Sequence, residues 1–148
     1  PSDELLRKER DDFYERLLRT TAEFDNYRKR TERERRELAE AAGVDVLRDL
    51  LPIIDDLERA LSVPADPGAE PLREGVELIR RQFMDLLRRR GVEPLEVVGH
   101  LFDPEWHEAV GNEPAEGRRD GEITAEFRRG YRIGTRLLRP AMVRVAKA

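Results

Sequence analysis

"VDVLRDLLPIIDDLERAL" occupies Val44 to Leu61. Its Leu47, Leu50, Ile54, Leu57 and Leu61 recur at steps of three and four, the spacing that lines one face of a helix with apolar side chains. Pro52 sits inside the stripe. It lacks an N–H and crowds the preceding turn, so a kink or a restart is expected there. A Pro/Gly loop follows, "SVPADPGAEP" from Ser62 to Pro71. Then comes "LREGVELIRRQFMDLLRRRG", with Leu72, Val76, Ile79, Phe83 and Leu86 on one face. Arg88, Arg89 and Arg90 suit the negative end of that helix, and Gly91 stops it. Two amphipathic helices joined by a loop make half of a four-helix bundle. A second copy of the chain would complete it. Residues 44–91 are therefore expected to form a dimeric bundle whose interface is those ten apolar residues. The alternative is a monomeric hairpin packed on the C-terminal domain.

Upstream, residues 2–42 contain no Gly and no Pro, and are rich in Glu, Arg, Leu and Ala, all good helix formers. Asp3 and Glu4 favour the positive end of a helix dipole. Glu23 to Glu37, "EFDNYRKRTERERRE", has eleven charged residues in fifteen. The apolar residues of the one narrow stripe along residues 2–42 are sparse: Leu6, Phe13, Leu17, Phe24, Tyr27 and Leu38, with Thr20 and Thr31 in the gaps. So thin a stripe cannot hold a helix of ~40 residues alone, but two helices can cover each other's seam. Residues 1–43 are expected to be a weakly paired, coiled-coil-like stalk, ended by Gly43.

After Gly91, alternation replaces the helical stripe. Val92, Leu95 and Val97 open it; Ile123, Ala125 and Phe127 continue it, then Tyr131 and Ile133, then Met142, Val143 and Val145. Turns are expected at Gly121, at Arg129–Gly130 and at Gly134. Residues 92–148 read as a small all-β domain. The fold class is α+β: paired-helix stalk, dimeric four-helix bundle, C-terminal β wing.

Little in the chain points to catalysis. Cysteine is absent, which excludes thiolate chemistry and disulfides and suits a reducing, cytoplasmic setting. The two histidines, His100 and His107, stand near Asp103, Glu105 and Glu108, but their spacing matches no zinc signature. Asp103 before Pro104 is explained as a helix cap, and Trp106 as a core residue. Ser2 and Ser62 are the only serines, and no glycine-rich phosphate loop is present. The reading is a non-enzyme without cofactor, metal or small-molecule substrate. No run approaches the ~18 apolar residues of a membrane span. The net charge of −4 and the acids among the Arg runs argue against nucleic acid. Arg28, Lys29 and Arg30 are the least diluted basic cluster, suited to an acidic protein partner.

Together these stretches resemble the GrpE family, nucleotide exchange factors of the DnaK chaperone. "FDNYRKRTERE", "LLPIIDDLERAL" and "EGVELIRRQF" contribute. "FDPEWHEAV" followed by "RRGYRIGTRLLRPAMVRVAKA" is the most specific. The resemblance covers nearly the whole chain. It implies a parallel homodimer that binds the nucleotide-binding domain of DnaK, opens its cleft and speeds ADP release. Arg136 matches the arginine that reaches a carboxylate of the partner. Phe102 and Pro104 match the turn at the contact, Phe127 and Val145 the apolar wing contacts, Arg28 a basic stalk position, and Gly75 a bundle glycine. Phe127 and the Gly134–Thr135 turn depart from relatives in detail. The rival readings are a dimeric coiled-coil scaffold without exchange activity and a DNA-associated dimer.

The thin seam carries a thermal prediction. Six seam residues over ~40 positions stabilise less per residue than the dense stripe after Val44, at about 25 cal/mol per Å² buried. Mixed-sign surface pairs add only tenths of a kcal/mol each. The stalk should melt first, in a reversible step of its own. Thr20→Leu with Thr31→Leu should raise that step alone. Calorimetry showing one transition, unmoved by both substitutions, excludes an independent stalk.

Overall fold

A computed structural model describes residues 2–148. Helix α1 spans Ser2–Ser62, a short 3-10 turn spans Pro67–Ala69, and helix α2 spans Glu70–Arg89. Six strands follow: β1 Val92–Pro94, β2 His107–Pro114, β3 Ile123–Arg128, β4 Tyr131–Ile133, β5 Arg136–Arg139 and β6 Ala141–Lys147. The α+β class is as the sequence indicates. By its contacts the chain divides into two units, Pro1–Gly43 and Val44–Ala148.

Within the first unit the helix exposes all its large apolar side chains, among them Leu6, Phe13, Leu17, Phe24, Tyr27 and Leu38. Leu5, Tyr14 and Leu18 are exposed too. The expected break at Gly43 and a restart at Pro52 are absent: α1 is continuous through both. Pro52 removes one helical hydrogen bond, but its neighbours Leu51 and Ile54 are each 0% exposed. Their burial on both sides of the proline holds the helix through it.

Within the second unit, α1 has two apolar faces. Val44, Leu51 and Ile54 join Met84 and Leu87 of α2, Val92 of β1, Tyr131 of β4 and Leu138 of β5 in one buried cluster. Leu47, Leu57, Phe83 and Ile133 pack against it. At 3.6 residues per turn, Val46, Leu50 and Ile53 fall roughly 120° away from the centre of this face. On that side Val46 and Ile53 are exposed. Each carries apolar surface that this chain leaves open.

The β residues form two three-stranded sheets, ordered β1-β4-β5 and β2-β6-β3. The first is antiparallel throughout and shares its core with the helices. The second has a core of its own: Val97, Ile123, Ala141 and Val143, with Leu95, Phe102 and Val145 packed on it. β3 pairs antiparallel with β6. β2 pairs parallel with β6 and was not legible beforehand, because "HEAVGNEP" is largely exposed and lacks clean alternation. The expected helix after Asp103 is also absent. The segment makes one turn, in which Trp106 and His107 N–H both donate to the Asp103 carbonyl, and β2 begins at His107. Trp106 is half-buried.

Glycines mark the corners. Gly121 and Gly134 have φ of 81° and 56°, in the left-handed region that side chains disfavour. Gly130 is there for a different reason: a Cβ would stand 2.6 Å from the Ala141 backbone nitrogen.

One charged residue is buried among the described residues, Arg139 at 8% exposure. Its guanidinium lies 5.3 Å from the Tyr131 ring centre. The Tyr131 hydroxyl is buried without a hydrogen-bond partner in the protein. Burial, with Glu58 nearby, pushes its pKa up to about 12. An unpaired buried hydroxyl costs about 1–3 kcal/mol. Tyr131→Phe keeps the ring and removes that cost, so the variant should melt at or above the parent temperature. A clear loss of stability on calorimetry would show that the hydroxyl is satisfied after all.

Candidate partner-binding surface

The turn before β2 is built by local hydrogen bonds. Asp103 N–H donates to His107 Nδ1 at 2.9 Å, and Asp103 Oδ1 accepts the Glu105 N–H at 2.9 Å. Phe102 N–H donates to the Gly121 carbonyl at 2.8 Å. Phe102 is half-buried, with its ring 5.9 Å from the His107 ring and tilted 42°. Pro104 is exposed at the tip. An Nδ1 that accepts a backbone N–H must be unprotonated. Burial lowers the His107 pKa, partly opposed by Asp103.

Arg136 opens β5, is exposed, and enters no ion pair among the described residues. Phe127 lies at an irregularity between β3 and β6 and is 58% exposed. The Arg144 guanidinium sits 5.7 Å from its ring centre. Arg144 Nε lies 3.4 Å from Glu113 Oε2 and 3.4 Å from Thr124 Oγ1. An aromatic ring is thus held outward by a tethered cation. Val145 differs: it is half-buried and packs on the second sheet's core, so only part of it faces outward.

The basic stalk cluster is less free than its sequence suggests. Arg28 and Lys29 both reach Asp25, at 3.1 and 3.2 Å, and Arg30 lies 3.9 Å from Glu34. The Asp25 pKa is lowered, first by the Lys29 hydrogen bond and charge. Sequence order placed the diluting acids further along; the helical i,i+3 and i,i+4 geometry brings Asp25 under the cations.

The ten expected bundle residues divide between two faces. Ile54 is 0% exposed within a single chain and has no surface left to offer a partner. Leu47, Leu57 and Phe83 pack partly on the same inner cluster. Leu72, Ile79 and Leu86 are 73%, 53% and 39% exposed and share a side of α2. Leu50, Leu61 and Val76 are half-buried. Val46 and Ile53 complete the open side of α1 and were missed, because one stripe of five leucine and isoleucine positions already satisfied the periodicity. Gly75 falls beside Ile79 on the open side, with nothing within 4 Å of a Cβ built there.

Comparison with known proteins gives this surface its context. The GrpE family model matches residues 3–147. The chain belongs to the GrpE family. GrpE proteins are co-chaperones, a non-catalytic class of nucleotide exchange factor that works with DnaK in the heat-shock response. Protein GrpE of Syntrophobacter fumaroxidans is 46% identical, over 97% of this chain and 78% of that protein. Protein GrpE of Caldanaerobacter subterraneus subsp. tengcongensis is 43% identical, over 95% of this chain and 68% of that protein. Protein GrpE of Cereibacter sphaeroides is 42% identical, over 97% and 83%. No described helix is long and apolar enough to cross a membrane.

The His107 turn predicts a pH response. A base whose folded pKa lies below its unfolded value near 6.5 takes up its proton more readily when unfolded. Its contribution is present above pH 6.5 and is lost as pH falls through the folded pKa. The unit carrying the wing should therefore melt lower as pH drops below 6.5. His107→Asn should flatten that dependence. An unchanged slope in the variant would assign the effect to other groups.

Proposed function

We propose that this chain is a homodimeric, cytoplasmic co-chaperone that binds the nucleotide-binding domain of a DnaK-type chaperone, opens its cleft and accelerates ADP release. The observation that carries this reading is the GrpE match over residues 3–147. It joins an exposed, unpaired Arg136 to an outward Phe127 on the same wing. Arg136 reaches a carboxylate of the partner. Phe102, Pro104, Phe127 and the outer part of Val145 supply apolar contact, and Arg28 adds a basic contact on α1. The mechanism is differential affinity: the factor binds the open, nucleotide-free partner more tightly than the closed one, and so shifts the equilibrium toward opening. No bond is made or broken in this chain.

The dimer forms through the open sides of the two bundle helices, chiefly Val46, Leu50, Ile53, Leu61, Leu72, Ile79 and Leu86. Covering such a stripe with a second copy removes an apolar patch that a monomer would leave in water. The rival scaffold would dimerise equally well but would leave nucleotide release unchanged.

A stopped-flow measurement of labelled ADP leaving DnaK separates the two. Acceleration by this chain is expected, and no acceleration leaves the scaffold. Arg136→Ala should weaken the partner complex by roughly 1.5–3 kcal/mol, the value of a charge-assisted hydrogen bond, with an intact fold and dimer. An unaltered complex would misplace the contact.

Dimerisation has its own test. Ile53→Asp and Ile79→Asp should give folded monomers by light scattering. Ile54→Asp, one residue along, should instead unfold the unit, because it buries an unpaired charge in the chain's own core. Dimers of normal mass from the first two variants would move the interface elsewhere.

A further inference from the structure

We propose that Arg139 is a positioning residue, whose buried fork to Asp55 locks the β1-β4-β5 sheet to α1 so that a load on Arg136 moves the partner and not the wing. The proposal rests on the exchange-factor reading above and adds to it the part of the chain that transmits force.

The two arginines stand at opposite ends of one strand. β5 is only four residues long. Arg136 is exposed at its start, and Arg139 is buried at its end. At ~3.4 Å per residue, roughly 10 Å of strand separates the partner-facing cation from the helix-facing one. Arg139 Nη1 and Nη2 donate to the two carboxylate oxygens of Asp55 at 2.5 and 2.6 Å. Its Nε donates to the Arg129 carbonyl at 2.8 Å. The planar fork thus engages two directions at once, and Tyr131 backs its face. A point charge could not fix orientation in this way.

Neighbouring contacts extend the lock along the helix. Arg129 Nη1 reaches Glu58 Oε1 at 3.1 Å, with Glu126 3.8 Å from Arg129 Nε. Arg48 Nε donates to the Leu138 carbonyl, on β5 itself, at 2.6 Å. Arg48, Asp55 and Glu58 are spaced by seven and three, so they share the face of α1 that carries Val44 and Leu51. The polar groups therefore border the apolar cluster they orient. Their directionality supplies what that cluster lacks, since apolar contact alone permits sliding.

Stability is a poor explanation for the pair. Replacing a buried ion pair by apolar residues of similar volume is often neutral or stabilising. That fact supplies the experiment. Asp55→Leu with Arg139→Met keeps the volume and removes the lock. The readouts are the affinity for nucleotide-free DnaK and the maximal rate of labelled ADP release at saturating co-chaperone.

The expected result is unchanged dimer mass and affinity within about twofold, with the maximal rate down about tenfold, a typical coupling factor. A full maximal rate in the double variant overturns the proposal. Should the double variant fail to fold, Arg139→Lys decides. It keeps the charge and burial but loses the fork, and should lower the maximal rate while sparing affinity. A rate equal to the parent's overturns the proposal there too. Failure of the parent chain to accelerate release at all would instead sink the exchange-factor reading, so the two failures are distinct.

Discussion

The Arg139–Asp55 pair is the constraint around which the second unit is organised. A guanidinium with 8% exposure is costly to bury unless its donors are met. Here three of its nitrogens donate, to a carboxylate and to a backbone carbonyl. Those partners lie on α1 and in the turn just after β3, so satisfying the one side chain on β5 links helix, turn and strand. The first sheet then has a single seat on the helix. The Tyr131 ring lies against the Arg139 guanidinium, and its unpaired hydroxyl is part of the cost of that seat.

Around this seat the unit divides its apolar surface by direction. One side of α1 and α2 joins the sheet in a core that a single chain completes. The other side stays open. The same helix thus has two apolar faces, one sealed within the chain and one left exposed. Burial within one chain separates residues that periodicity treats alike: Ile54 is sealed, while Ile79 is 53% exposed.

The wing shows a comparable division of labour. Its second sheet has a separate small core and carries outward-facing side chains proposed as contacts, with Phe127 held by Arg144 and the Phe102–Pro104 turn held by Asp103 and His107. Its first sheet carries Arg136 and reaches the helix. Contact chemistry and attachment are therefore assigned to different strands, with β5 belonging to both. Such an arrangement suits the proposed role, in which a partner is moved without chemistry in this chain.

Sequence by itself determined the class and the family. Helical spacing from Leu47 to Leu86, the absence of Gly and Pro over residues 2–42, and alternation after Gly91 gave an α+β chain. The motifs "FDPEWHEAV" and "RRGYRIGTRLLRPAMVRVAKA" gave GrpE. These signals are local, set by periods of 3.6 and 2 and by backbone-specific residues, and so survive in one dimension. The tertiary structure alone decided which apolar residues are internal, that α1 runs through Pro52, and that β2 joins β6 in parallel. It also brought Asp55 to Arg139 across 84 positions of chain. No spacing rule records such a pair. A charge in a sequence reads as solvated until a fold places its partner beside it and takes the water away.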